Sequence, residues 1–274
     1  MNPTSLNPDR FAQLALAKRV WAVGAVNAHS GSLRALHTEL SKRFVVGDRL
    51  VYLGNYYGIG ADAIGTVDEL LRFRSELLCR SGLEPWDIAY LRGAQEEMWN
   101  KLFEIQFAPN PNEVLDWMLH QGLQSTLKAY GGDEQVARSI VRDGAMAITR
   151  WTNAIRNSVH SKEGHDELLT TLRRAAYTSG GELLFVHAGV DPARPVTEQG
   201  DTFWWGSGHF SEITNQYNGF RKVIRGYDRS HQGVVDGTFS ATVDGGCGFG
   251  GQLTAGCFTT NGNAVDWIAI PCVD

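Results

Sequence analysis

The chain has 274 residues and a formal net charge of −5, and 43% of it is hydrophobic and 20% charged. That is ample chain to bury one large core, and the acidic balance excludes a basic field for nucleic acid or an anionic membrane surface. No apolar run reaches the roughly 18 residues of a transmembrane helix, so no membrane insertion is predicted. The N-terminal stretch, broken by Lys18 and Arg19, lacks the layout of a signal peptide, so a cytoplasmic protein is expected.

Residues 20–26 (VWAVGAV) and 49–54 (RLVYLG) are short apolar runs ending near Gly, the pattern of buried strands. Leu33, Leu36, His37 and Leu40 lie between them at helical spacing, so 20–54 reads as a β-α-β unit. Residues 62–78 read as an amphipathic helix with Ile64, Val67, Leu70, Leu71 and Leu77 on the apolar side. A third strand is predicted at 88–93. A mostly helical middle follows, about 98–180, with helices over 113–119, 134–159 and 166–177. Strands resume at 182–190, 222–227, 240–244, 252–258 and 264–270, and Asn261-Gly262-Asn263 marks an antiparallel turn between the last two. No linker or repeat divides the chain, so one domain over 1–274 is expected. The cysteines at 79, 247, 257 and 272 form no C-x-x-C pair and are expected to be reduced thiols.

The runs that carry chemistry are Gly24-Ala25-Val26-Asn27-Ala28, residues 47–60 (GDRLVYLGNYYGIG), Gly93-Ala94-Gln95-Glu96, Phe185-Val186-His187-Ala188-Gly189 and Gly226-Tyr227-Asp228. In this order they resemble the ligand motifs of the calcineurin-like metallophosphoesterases, the serine/threonine phosphoprotein phosphatase superfamily. Trp117 to Gly122 with Thr126-Leu127 and Tyr130-Gly131, and the run from Asp244 to Ala255, resemble scaffold signatures of the bacterial members. Leu33 to Leu36 supports the ungapped register of the first motif, and the likeness runs from about 20 to 270. It implies an α/β fold: a two-layered central β-sandwich flanked by helices.

The resemblance also implies which residues have been lost. Ala25 and Asn27 stand at the first aspartate and histidine, Asn55 at the bridging aspartate, and Ile59 at the phosphate-clamping arginine. Ala94 and Gln95 replace the metal-binding asparagine and the general-acid histidine. Ser207, in Trp205-Gly206-Ser207 after Gln199 and Asp201, replaces a second phosphate arginine, and Tyr227 replaces the last histidine. His187 alone keeps a ligand identity. A register slip of two residues would instead make Asn27 and His29 the first pair.

Two dications about 4 Å apart repel by roughly 16 kcal/mol at an effective dielectric near 20, so such a centre needs carboxylates. With these replacements no catalytic residue and no metal is expected, and the reading is a pseudophosphatase acting on an unidentified protein partner as scaffold, regulator or assembly subunit. Two alternatives stay open. One is a Mn- or Mg-dependent phosphoester hydrolase rearranged around His187, His29, Asp228 and Glu96. The other is a phospho-ligand sensor using Arg92, His187, Arg225, Tyr227 and Asp228, with Arg229 near and Asp228 or Glu96 pairing the arginines.

Overall fold

The computed structural model describes residues 6–80, 82–206 and 208–272. The elements in chain order are β1 (Phe11–Leu14), β2 (Arg19–Val23), α1 (Ser30–Arg43), β3 (Asp48–Tyr52), α2 (Ala63–Leu78), β4 (Ile88–Tyr90) and α3 (Ala94–Leu102). Then come α4 (Pro111–Met118), α5 (Gln124–Ala129), α6 (Glu134–Ile140), α7 (Ala145–His160) and α8 (His165–Thr171). The chain closes with β5 (Ala175–Thr178), β6 (Leu183–Val186), α9 (Thr202–Trp205), β7 (Lys222–Arg225), β8 (Val235–Asp236), β9 (Ser240–Thr242), β10 (Gln252–Thr259) and β11 (Ala264–Pro271).

Two sheets result, in the orders β1-β5-β6-β7-β9-β8 and β11-β10-β2-β3-β4. Val20, Ala22, Val51 and Leu53 from one, and Leu14, Ala176, Leu183, Phe185, Ile224 and Val243 from the other, make the core between them. Each large side chain buried there contributes roughly 2 kcal/mol. A larger core lies between the second sheet and the helices of the middle segment. The outer face of the first sheet is covered more thinly, by α9 and the irregular segment around Val190–Tyr217. Two sheets flanked by helices is the architecture expected from the sequence.

Buried polar groups lock these layers in register. Asp48, at the start of β3, accepts from Arg19 Nε at 2.8 Å and Nη2 at 2.6 Å, and from the Trp21 indole N–H at 3.2 Å, so β2 and β3 enter the sheet together. His37 on α1 bonds Glu69 on α2 through Nδ1 at 2.6 Å and the Tyr52 hydroxyl on β3 through Nε2 at 2.8 Å. Burial pushes the Glu69 carboxyl up, but Arg72 and His37 outweigh it and hold the group at about 2.

Three expectations need correction. Residues 134–159 form two helices, because Gly144 at φ 90° breaks the path and starts α7. The helix expected over 166–177 ends at Thr171, and the helical middle ends with it. Ala175–Thr178 is a strand buried on both faces that pairs β1 and β6, and four residues buried at every position have no periodicity to separate strand from helix. Finally, Cys247 and Cys272 form a disulfide with Cα atoms 5.8 Å apart, while Cys79 and Cys257 stay free. The β10–β11 hairpin carries Cys272 back to the loop after β9, a contact that cysteine spacing does not reveal.

The bridge closes a loop with a sequence separation of 25, which corresponds to about 3 kcal/mol of unfolded-state entropy. Urea unfolding of Cys272→Ser is expected to show a loss of about that size, and reduction should bring the unaltered protein to the same midpoint.

Candidate functional site

The carboxyl ends of β2, β3, β4, β6, β7 and β9 meet on one side of the sandwich, the place where α/β sheets leave room for ligands. The loops after β2 and β3 are stitched together. Val26 and Asn27 N–H both donate to Asn55 O (3.0 and 2.7 Å), and Ala25 N–H donates to Gly226 O at 3.0 Å. Asn27 and Asn55 lie in left-handed backbone, φ 50° and 54°, which asparagine tolerates better than most residues.

One carboxylate holds this assembly. Glu96, in the first turn of α3, is completely buried. Its Oε2 accepts from Asn55 N (2.9 Å) and Gly93 N (2.8 Å), and its Oε1 accepts from Tyr56 N (2.8 Å) and Tyr57 N (3.2 Å). Burial by itself raises the carboxyl's pKa, and the four N–H donors pull it the other way. Gly93 leaves no room for a side chain, because a Cβ there would collide with Asn55 N. Glu96 does not pair an arginine, contrary to one expectation. Arg92 pairs Glu97 instead, at 3.2 Å.

Most of the positions that the resemblance matches to ligands form the floor and wall of a cavity of about 460 Å³. Asn27, Asn55, Ile59, Ala94, Gln95 and Tyr227 line it, joined by Trp117, Gln121, Trp204, Trp205, Arg229, His231 and Phe249. Asn27 Nδ2 donates to Cys247 O at 2.8 Å. Asn55 Oδ1 accepts from Gln95 N at 3.0 Å, and Gln95 Nε2 donates to Gln121 O at 2.7 Å. Ala25 is a buried methyl behind the floor. Ser207 lies outside the described residues.

His187 is buried behind Tyr227, the rings stacked at 5.3 Å and 11°. Its Nδ1 donates to Leu53 O at 2.6 Å, which leaves Nε2 the unprotonated nitrogen, buried without a partner. Burial lowers its pKa to about 4 despite that hydrogen bond, so the ring is neutral near pH 7.

Of the residues predicted to bind a phospho-ligand, Arg225, Tyr227 and Asp228 are brought together and Arg92 is not. Arg92 faces a separate cleft with Lys101 and Arg156. Arg225 is held by Thr242 Oγ1 (2.9 Å) and Asp228 (3.1 Å) and lies over the Phe210 ring at 4.3 Å. Arg225, Tyr227 and Asp228 border a neighbouring cleft, shared with Arg229. His29 Nδ1 bonds Asn27 O at 2.8 Å.

The donor set does not fit a divalent metal centre. The nearby carboxylates are committed: Glu96 to four amides, Asp228 to Arg225, and Asp244 to Asp228 N, Gly246 N and His231 Nδ1. Among the described residues no group of three or more His, Cys, Asp or Glu could hold a metal ion. Amides and one imidazole are weak ligands for Mn²⁺ or Mg²⁺.

No protein-family model matches the sequence, and no curated protein matches it. Solved structures do. A protein named as a diadenosine tetraphosphatase superposes with a TM-score of 0.56 at 18% identity, over 97% of this chain and 99% of that one. A protein serine/threonine phosphatase from Saccharomyces cerevisiae gives 0.50 at 13% identity, over 96% and 84%. A variant of a cold-active protein tyrosine phosphatase gives 0.50 at 12%, over 94% and 82%. The chain has the calcineurin-like metallophosphoesterase fold. At these identities the likeness is one of fold.

In this metallophosphoesterase-like frame, sequence reasoning missed His231, Phe249 and Trp117 as cavity residues. His231 bonds Asp244 Oδ2 at 2.9 Å and stacks on Phe249 at 3.9 Å. The tryptophan pair divides its roles: Trp204 is core, and Trp205 meets Trp117 edge-on at 5.4 Å at the mouth. Among the described residues no helix is long and apolar enough to cross a membrane.

Glu96→Ala strands buried amide donors, so urea unfolding should show a loss of about 3 kcal/mol or more. For His187 the folded pKa lies below the unfolded one, so its stability contribution is whole above about 6.5 and is lost as pH falls toward 4. Between pH 7 and 4.5 the protein should lose about 2 kcal/mol more than His187→Asn, read from unfolding curves at each pH.

Proposed function

We propose that this chain is a catalytically inactive phosphatase-like protein that acts by binding, as a scaffold, regulator or assembly subunit for a protein partner. The observation that carries the reading is the chemistry of the replaced positions. At the positions the resemblance matches to ligands, general acid and phosphate clamps, His187 apart, there are alanines, an isoleucine, a serine, a tyrosine and amides. The amides of Asn27, Asn55 and Gln95 are each hydrogen-bonded to the protein's own backbone. A two-metal centre requires concentrated negative charge, and this floor offers none.

The cavity mouth supports a binding role. Trp117, Trp205, Phe249 and Ile59 are partly exposed around it, and aromatic residues in such a setting are the usual anchors of protein contacts. The cytoplasmic setting is part of the same proposal. The Cys247–Cys272 bridge stands against it, because cytoplasmic thiols are kept reduced.

The test is turnover. Purified protein loaded with Mn²⁺ or Mg²⁺ is expected to hydrolyse p-nitrophenyl phosphate and phosphopeptides no faster than buffer. Metal-dependent turnover that His187→Ala abolishes would establish the rearranged hydrolase instead.

A further inference from the structure

Two side chains on the cavity floor are fixed in orientation and only half used. Asn27 Nδ2 donates to the Cys247 carbonyl at 2.8 Å, so its Oδ1 is the free end. Asn55 Oδ1 accepts from the Gln95 N–H at 3.0 Å, so its Nδ2 is the free end. Neither amide can be flipped, since a carbonyl only accepts and a backbone N–H only donates. Both residues are 3% exposed. Among the described residues no hydrogen bond reaches Asn27 Oδ1 and none leaves Asn55 Nδ2, and both residues line the cavity. Gly58 helps keep the acceptor open, because a Cβ there would lie 2.7 Å from Asn27 Oδ1. The two residues are adjacent, Asn27 N–H donating to Asn55 O at 2.7 Å.

The floor therefore offers a neutral acceptor on Asn27 and a neutral donor on Asn55, two residues joined by a backbone hydrogen bond. The walls are flat: Trp117, Trp205, Tyr227, His231 and Phe249. No carboxylate lines the cavity, and Arg229 is the one permanently charged group among its described lining residues. A cation is disfavoured by Arg229. An anionic tail could reach Arg229, but Ile59, matched by the resemblance to a phosphate-clamping arginine, is apolar.

We propose that this cavity binds a neutral planar heterocycle through a lactam edge. The ring N–H donates to Asn27 Oδ1, the adjoining C=O accepts from Asn55 Nδ2, and the ring lies against the aromatic walls. The inference rests on the non-catalytic reading of the cavity and narrows it to a ligand class. Recognition is by the ring, and a phosphate tail is dispensable. Purine and pyrimidine lactams share this edge, so both ring sizes belong in the test.

Isothermal titration calorimetry and tryptophan fluorescence would be run with inosine, uridine, their ring-N-methylated forms (1-methylinosine and 3-methyluridine) and ribose 5-phosphate. Saturable binding of inosine or uridine is expected, with the methylated partner at least tenfold weaker and ribose 5-phosphate silent. Asn55→Asp keeps the acceptor for Gln95 N–H but turns an oxygen toward the ligand carbonyl, and should weaken binding at least tenfold. Trp205→Ala, at a partly exposed wall position, should weaken it too, with unfolding midpoints confirming that both variants fold. Methylated and unmethylated rings binding equally, ribose 5-phosphate binding as well as the nucleosides, or no saturable binding at millimolar concentration would each overturn the proposal. Those results leave the pseudophosphatase reading standing, whereas metal-dependent turnover removes that reading whatever the nucleosides do.

Discussion

The geometry of the site depends on a buried carboxylate that binds backbone. Glu96 collects the N–H groups of Gly93, Asn55, Tyr56 and Tyr57, which come from the loop after β3 and the start of α3. Each of those donors is buried, and a buried amide without an acceptor is costly. The loop after β3 can close only around this acceptor. Its shape is therefore set by a protein–protein hydrogen-bond cluster that requires no metal. That lets the loops of this metallophosphoesterase-like fold keep their shape without ligands from a metal.

Neutrality follows from that independence. A carboxylate at Asn27 or Asn55 would face desolvation beside buried strands unless a cation paired it. Amides can be placed there because each satisfies one end on the scaffold, Asn27 on Cys247 O and Asn55 on Gln95 N. His187 takes the same course: burial keeps it neutral, and its proton points at Leu53 O rather than into the cavity.

Much of the frame was legible along the chain. The strands ending at Val23 and Tyr52, the α2 helix and the β10–β11 hairpin announced themselves by periodicity and turn residues. β1 and β5 did not, because both are four residues long and β5 is buried on both faces. The ligand positions were legible only through a resemblance of motif order. Their replacements could be named, but which end of each amide points inward could not, since that is decided by hydrogen-bond partners up to 220 residues away.

The sequence by itself determined the fold class, the α/β order and the chemical identity of every residue at the old ligand positions. Those are consequences of local pattern: side-chain period, glycine placement and the residue types in short motifs. Only the tertiary structure decided that Glu96 serves backbone instead of arginine and that Arg92 faces a different cleft from Tyr227. It also decided that Cys247 meets Cys272 and that His231, Trp117 and Phe249 wall one cavity. These are contacts between distant segments, fixed by strand order and loop closure, and no spacing rule along the chain encodes them.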